Sequence, residues 1–60
     1  MKASKEVILH MIDEVNMHGV NLTKWEKDFM ESITEQFAGR KSISDKQEEI
    51  LERIYAEKTP

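Results

Sequence analysis

Cysteine is absent from the 60 residues of the sequence, proline occurs once and glycine twice. Without cysteine the chain cannot form disulfides, use a thiol in catalysis or bind zinc through thiolates. Two isolated glycines do not provide a phosphate-binding loop. No apolar run approaches the ~20 residues that cross a bilayer, and the first residues lack the apolar stretch of a secretory signal. We therefore expect a cytoplasmic protein without a membrane partner.

Charge and length restrict the function further. The chain carries 9 basic and 12 acidic residues, a net charge of −3, whereas a nucleic-acid-binding domain usually has a basic excess or a basic stripe. A domain this short buries little apolar surface relative to the conformational entropy that folding removes, and such domains often depend on oligomerisation. We therefore expect one small domain over residues 1–60 that binds another protein, and a homodimer rather than a monomer.

The spacing of the apolar residues predicts three helices and no strand. We place the helices at about residues 5–18, 24–38 and 45–57. Gly19 and Gly39 are predicted to end the first two helices, because glycine is common just after the last helical turn.

The starts of the helices carry side chains that can accept hydrogen bonds from free backbone N–H groups. Ser4 is a suitable cap for the first helix. Thr23 with Glu26, and Ser44 with Gln47, have the spacing of a capping box. The connection between helices 2 and 3 is short, so these two helices should be antiparallel neighbours. The predicted fold is an all-α three-helix bundle, in which helices 2 and 3 form an antiparallel hairpin and helix 1 packs across it.

Helix 1 is apolar on more than one side. Its main stripe consists of Val7, Ile8, Met11, Ile12 and Val15. Leu9 and Met17 lie outside that stripe, so helix 1 is either central in the bundle or meets a partner with a second face. In helix 2, Trp25 and Met30 lie on opposite edges of the apolar stripe, where each is either a core residue or a half-exposed anchor for a partner.

The leading functional prediction is a non-enzymatic protein–protein interaction module. Its partner-binding surface is predicted to consist of Leu9, Met17, Trp25 and Met30. Such a surface would act by steric occupation of a groove on the partner, for example as an inhibitor of an enzyme.

The alternative is a small nucleic-acid accessory protein. The only basic cluster comprises Arg40, Lys41 and Lys46, and cations of this kind contact phosphates in nucleic-acid complexes. Two or three cations in a loop are more often a solvated turn, which makes this the second hypothesis.

Few residues could support chemistry. His10, Glu14 and His18 lie on one side of helix 1, but the outer two differ by about 12 Å along the helix axis. One metal ion with bonds of ~2 Å cannot reach both histidines. Glu48 and Glu52 belong to acidic helix faces that we interpret as ordinary solvated surface. We predict no catalytic residue, no metal ion and no cofactor.

One part of the sequence resembles a known type of motif. Residues 22–55 contain Leu-Thr-x-Trp-Glu-x-x-Phe-x-x-Ser-Ile, a short basic loop, and then Ile-Ser-x-Lys-Gln-x-x-Ile-Leu-x-x-Ile. This string resembles a capped helical hairpin found in small phage and mobile-element proteins and in terminal appendages of bacterial DNA-processing proteins. The resemblance implies a helical accessory or protein-interaction module, such as a phage modulator of a host enzyme, and implies no catalytic residue.

Overall fold

Three helices make up the fold of the described residues. A computed structural model describes residues 4–59. The helices are α1 (Lys5–His18), α2 (Lys24–Arg40) and α3 (Asp45–Lys58). No strand occurs in the part of the chain that the structure describes. The predicted all-α three-helix bundle is confirmed.

The predicted N-terminal caps are all present. Ser4 caps α1. At the start of α2 the Thr23 hydroxyl accepts a hydrogen bond from the backbone N–H of Glu26 at 3.1 Å, and the Glu26 carboxylate accepts one from the backbone N–H of Thr23 at 2.8 Å. Ser44 and Gln47 form the same reciprocal pair at the start of α3. These local bonds satisfy backbone donors that the helices cannot satisfy themselves, and so fix where each helix begins.

The C-terminal boundary of α2 differs from the prediction. Gly39 does not end the helix, which continues to Arg40 and is capped by Lys41 in the left-handed conformation (φ 60°). The backbone N–H of Lys41 donates to the Phe37 carbonyl at 2.9 Å. A glycine inside a helix costs only about 1 kcal/mol, so additional helical hydrogen bonds can outweigh it. Gly19 ends α1 as predicted, but with an extended backbone rather than a left-handed one.

Helix α1 is the central element of the bundle. It packs most extensively against α3, then against α2, and the contact between α2 and α3 is the smallest. The core contains Ile8, Met11, Ile12, Val15, Met30, Ile33, Phe37, Leu51 and Ile54. Val7 belongs to the predicted stripe but is exposed, because it lies about 90° around α1 from the centre of the buried face.

Polar side chains link the helices and define their directions. The Gln36 and Gln47 amides exchange two hydrogen bonds of 3.1 and 3.0 Å at one end of the α2–α3 pair. At the other end the Lys58 ammonium lies 3.8 Å from the Glu26 carboxylate. The early part of α2 therefore meets the late part of α3, which confirms the antiparallel hairpin.

The two glycines provide a matched test of the helix boundaries. We expect Gly39→Ala to raise the free energy of unfolding by up to about 1 kcal/mol, because an added Cβ would meet nothing within 4 Å. Gly19→Ala should lower it, since the new Cβ would lie 2.5 Å from the Val15 carbonyl oxygen. Urea denaturation of both variants measures the difference. Destabilisation by Gly39→Ala would contradict the placement of Gly39 inside α2.

Candidate interaction surface

Of the four residues that were predicted to bind a partner, three are exposed and one is buried. Leu9, Met17 and Trp25 are exposed, with 48, 75 and 59% of their surface accessible, whereas Met30 is only 2% accessible. Met30 lies in the core, so the prediction that it contacts a partner is wrong. Thr34 lies one turn after Met30 on the same side of α2. Its hydroxyl accepts a hydrogen bond of 3.0 Å from the Asn16 amide on α1. Helix α1 therefore packs over this side and buries Met30.

The three exposed residues do not lie side by side. Met17 follows Leu9 by eight residues on α1, which places it about 12 Å further along the axis and about 80° around it. Trp25 lies in the first turn of α2 and is about 18 Å along that helix from Phe37, which lies beside Leu9. Single exposed apolar side chains are common on protein surfaces, so the local surroundings of each residue decide which one marks a site.

Trp25 packs on Phe29 at the surface of α2. Its ring stacks on the ring of Phe29, with 5.4 Å between centroids and 12° between planes. Phe29 is half-buried and packs against the core. Trp25 is thus an exposed aromatic residue whose contact shields a neighbour of the core.

Leu9 lies in a groove between α1 and α2. The groove has a volume of about 390 Å³ and forms where the first half of α1 meets the last turns of α2. Its floor and walls are apolar and comprise Leu9, Ile12, Phe37 and Ala38. Ile12 and Phe37 belong to the core and are almost fully buried, so the exposed apolar surface of the groove belongs mainly to Leu9 and Ala38. We call this concavity the α1–α2 groove.

Charged residues form the rim of the α1–α2 groove. Because α1 and α2 are antiparallel, the start of α1 meets the end of α2, and this end of the groove carries Lys5, Glu6 and Lys41. The opposite end carries Asp13 and Thr34. The four charged residues are exposed. One end therefore has two cations and one carboxylate, and the other end has one carboxylate.

The hydroxyl that lines the α1–α2 groove is already hydrogen-bonded within the chain. The hydroxyl of Thr34 already donates to the Met30 carbonyl at 2.6 Å and accepts from the Asn16 amide. Within residues 4–59 no group of three or more histidine and carboxylate side chains is placed to hold a metal ion. His10 lies outside the groove and makes an edge contact with the ring of Tyr55 on α3, with 6.1 Å between centroids.

The three residues of the predicted basic cluster lie around the α2–α3 connection. Arg40 ends α2, Lys41 is its cap, and Lys46 lies in the first turn of α3. All three are exposed, but only Lys41 lines the α1–α2 groove.

The acidic surface of α3 also differs from the prediction. Glu48 is 7% accessible and is not part of a fully solvated face, whereas Glu52 is exposed as predicted. Glu48 precedes Leu51 by three residues and Tyr55 by seven, so it lies on the side of α3 that faces the bundle.

The sequence analysis singled out two residues of the α1–α2 groove, Leu9 as a partner contact and Lys41 as a nucleic-acid contact, and missed the others. The available signal was the four-residue spacing of Lys5, Leu9 and Asp13 on α1, which places all three along one side of the helix. The α2 wall could not be anticipated, because it depends on how α2 docks against α1.

Comparisons with known proteins add no assignment: no protein family, curated protein or solved structure matches the chain. In the described residues no helix is long and apolar enough to cross a bilayer.

Proposed function

We propose that this chain is a non-enzymatic protein-interaction domain and that the α1–α2 groove is its binding surface. The observation that carries the proposal is the half-exposed Leu9 beside the core residues Ile12 and Phe37, in a concavity with a charged rim. Burial of the exposed apolar surface of Leu9 and Ala38 provides affinity. The charges around it provide orientation and partner choice.

The mode of action that fits this surface is steric. An apolar side chain of the partner inserts beside Leu9 while the rim charges align the two molecules. A stable interface needs about 800 Å² on each partner, which is roughly a fifth of the 4380 Å² accessible surface of this chain. The partner must therefore extend beyond the groove and cover neighbouring surface. Residues 22–55 resemble capped helical hairpins of small phage and mobile-element proteins and of appendages of bacterial DNA-processing proteins, and this resemblance implies the same class of function.

The proposal is tested by photo-crosslinking in the cells that naturally produce the chain. The photoreactive residue p-benzoylphenylalanine replaces either Leu9 or Met17. Both positions are exposed on α1, but only Leu9 lies in the groove. We expect covalent protein adducts from position 9 and none from position 17. The absence of adducts at position 9, or equal adducts from both positions, would reject the α1–α2 groove as the binding surface.

A further inference from the structure

We infer that the occupant of the α1–α2 groove is a second copy of this chain, docked antiparallel about a two-fold axis near Leu9. This inference rests on the proposed function, because it names the partner of the same surface. It follows from the order of charges along the groove and from the size of the domain.

The charges on α1 are self-complementary about Leu9. Lys5 precedes Leu9 by four residues and Asp13 follows it by four, so all three lie along one side of the helix. They also line the same groove. A two-fold rotation about an axis through Leu9 and perpendicular to α1 reverses the direction of the helix. Lys5 of each copy then lies opposite Asp13 of the other copy, and the symmetry makes this ion pair twice.

The other charged residues of the groove keep its two ends opposite in charge. Lys41 adds a second positive charge to the end that carries Lys5, and Glu6 at that end removes one. The net charge of +1 at that end faces the −1 of Asp13 when two grooves meet antiparallel. A parallel arrangement would instead place Lys5 against Lys5 and Asp13 against Asp13. The rim thus favours one docking direction.

The apolar residues also suit a two-fold contact. Leu9 lies midway between the two charges, so the two Leu9 side chains meet near the axis. Ala38 on the α2 wall is small and leaves space for the incoming leucine. A 60-residue domain has little core of its own, and covering the exposed residues Leu9 and Ala38 from outside adds buried apolar surface that the single chain lacks.

Charge exchange between two copies tests the arrangement. By sedimentation equilibrium, the wild type is expected to have twice the 7.1 kDa mass of the chain. Asp13→Lys alone places the introduced ammonium opposite Lys5 of the other copy, and Lys5→Glu alone places the introduced carboxylate opposite Asp13. Each variant should dimerise roughly tenfold more weakly, since two attractive pairs become repulsive. An equimolar mixture of the two variants restores opposite charges at both contacts and should dimerise as well as the wild type.

Glu35→Lys is the matched control. It makes the same charge change as Asp13→Lys at an exposed position of α2 outside the groove, and the dimer should keep its wild-type affinity. A wild type that stays monomeric up to roughly 1 mM, where even weak interfaces associate, would overturn the inference. So would a mixture that associates no better than each variant alone.

The two proposals fail in different ways. A monomeric wild type whose position 9 still crosslinks to a different protein overturns the second copy as partner and supports the groove as a binding surface. A dimer without any crosslink at position 9 overturns both proposals, because its interface then lies elsewhere.

Discussion

Phe37→Ala is expected to leave most of the chain unfolded. Phe37 is 6% accessible and packs in the core, where replacement of phenylalanine by alanine costs roughly 3–5 kcal/mol. A domain of this size rarely has more than about 3–5 kcal/mol of stability in total. The free energy lost by the substitution is therefore comparable to the total stability of the domain. Far-UV circular dichroism during urea titration should show little helix for the variant even without denaturant.

Trp25→Ala is the matched control for this prediction. It also replaces an aromatic side chain of α2 by alanine, but Trp25 is 59% accessible and its described aromatic contact is the stack on Phe29. We expect a loss of about 1 kcal/mol, the usual value of an aromatic pair. If Trp25→Ala unfolded the chain as completely as Phe37→Ala, the assignment of Trp25 to the surface would be wrong.

Leu9→Glu is expected to weaken self-association about 100-fold or more. In the two-fold arrangement Leu9 lies at the centre of the interface, so the substitution buries two carboxylates against each other and against apolar side chains. Burial of an unpaired charge costs several kcal/mol, and about 2.7 kcal/mol already corresponds to 100-fold in affinity.

Met17→Glu introduces the same charge on the same helix and should leave the affinity unchanged. Met17 is 75% accessible and lies about 180° around α1 from the buried face. Both variants should remain helical, because glutamate is a good helix former and both positions are exposed. Circular dichroism checks this. A loss of helix in Leu9→Glu alone would assign Leu9 to the fold instead of to the interface.

The fold could be predicted because most of its determinants are local. Ser4, Thr23 and Ser44 each bond to a backbone N–H within three residues, so the sequence alone locates the starts of the helices. The apolar stripes required only helical periodicity. The short α2–α3 connection limited the hairpin to an antiparallel arrangement.

The wrong predictions concern features that depend on how the helices dock against each other. Trp25 and Met30 occupy opposite edges of the same stripe, and periodicity cannot say which edge a neighbouring helix covers. Helix α1 packs over the edge with Met30 and leaves Trp25 exposed. Glu48 is buried for the same reason: its side of α3 faces the bundle. The end of α2 was misplaced because Lys41, rather than a glycine, adopts the left-handed conformation.

The α1–α2 groove shows the same division between local and non-local information. The spacing of Lys5, Leu9 and Asp13 is visible in the sequence. The groove that these three residues help to form could not be predicted, because only the antiparallel docking of α2 brings Phe37 and Ala38 beside Leu9.

Sedimentation equilibrium of the wild type, Leu9→Glu and Met17→Glu side by side measures most directly whether two chains meet at the α1–α2 groove. We expect a dimer for the wild type and Met17→Glu, and a folded monomer for Leu9→Glu at the same concentration. A monomeric wild type, or a dimer that Leu9→Glu forms as tightly as the wild type, would contradict this interface.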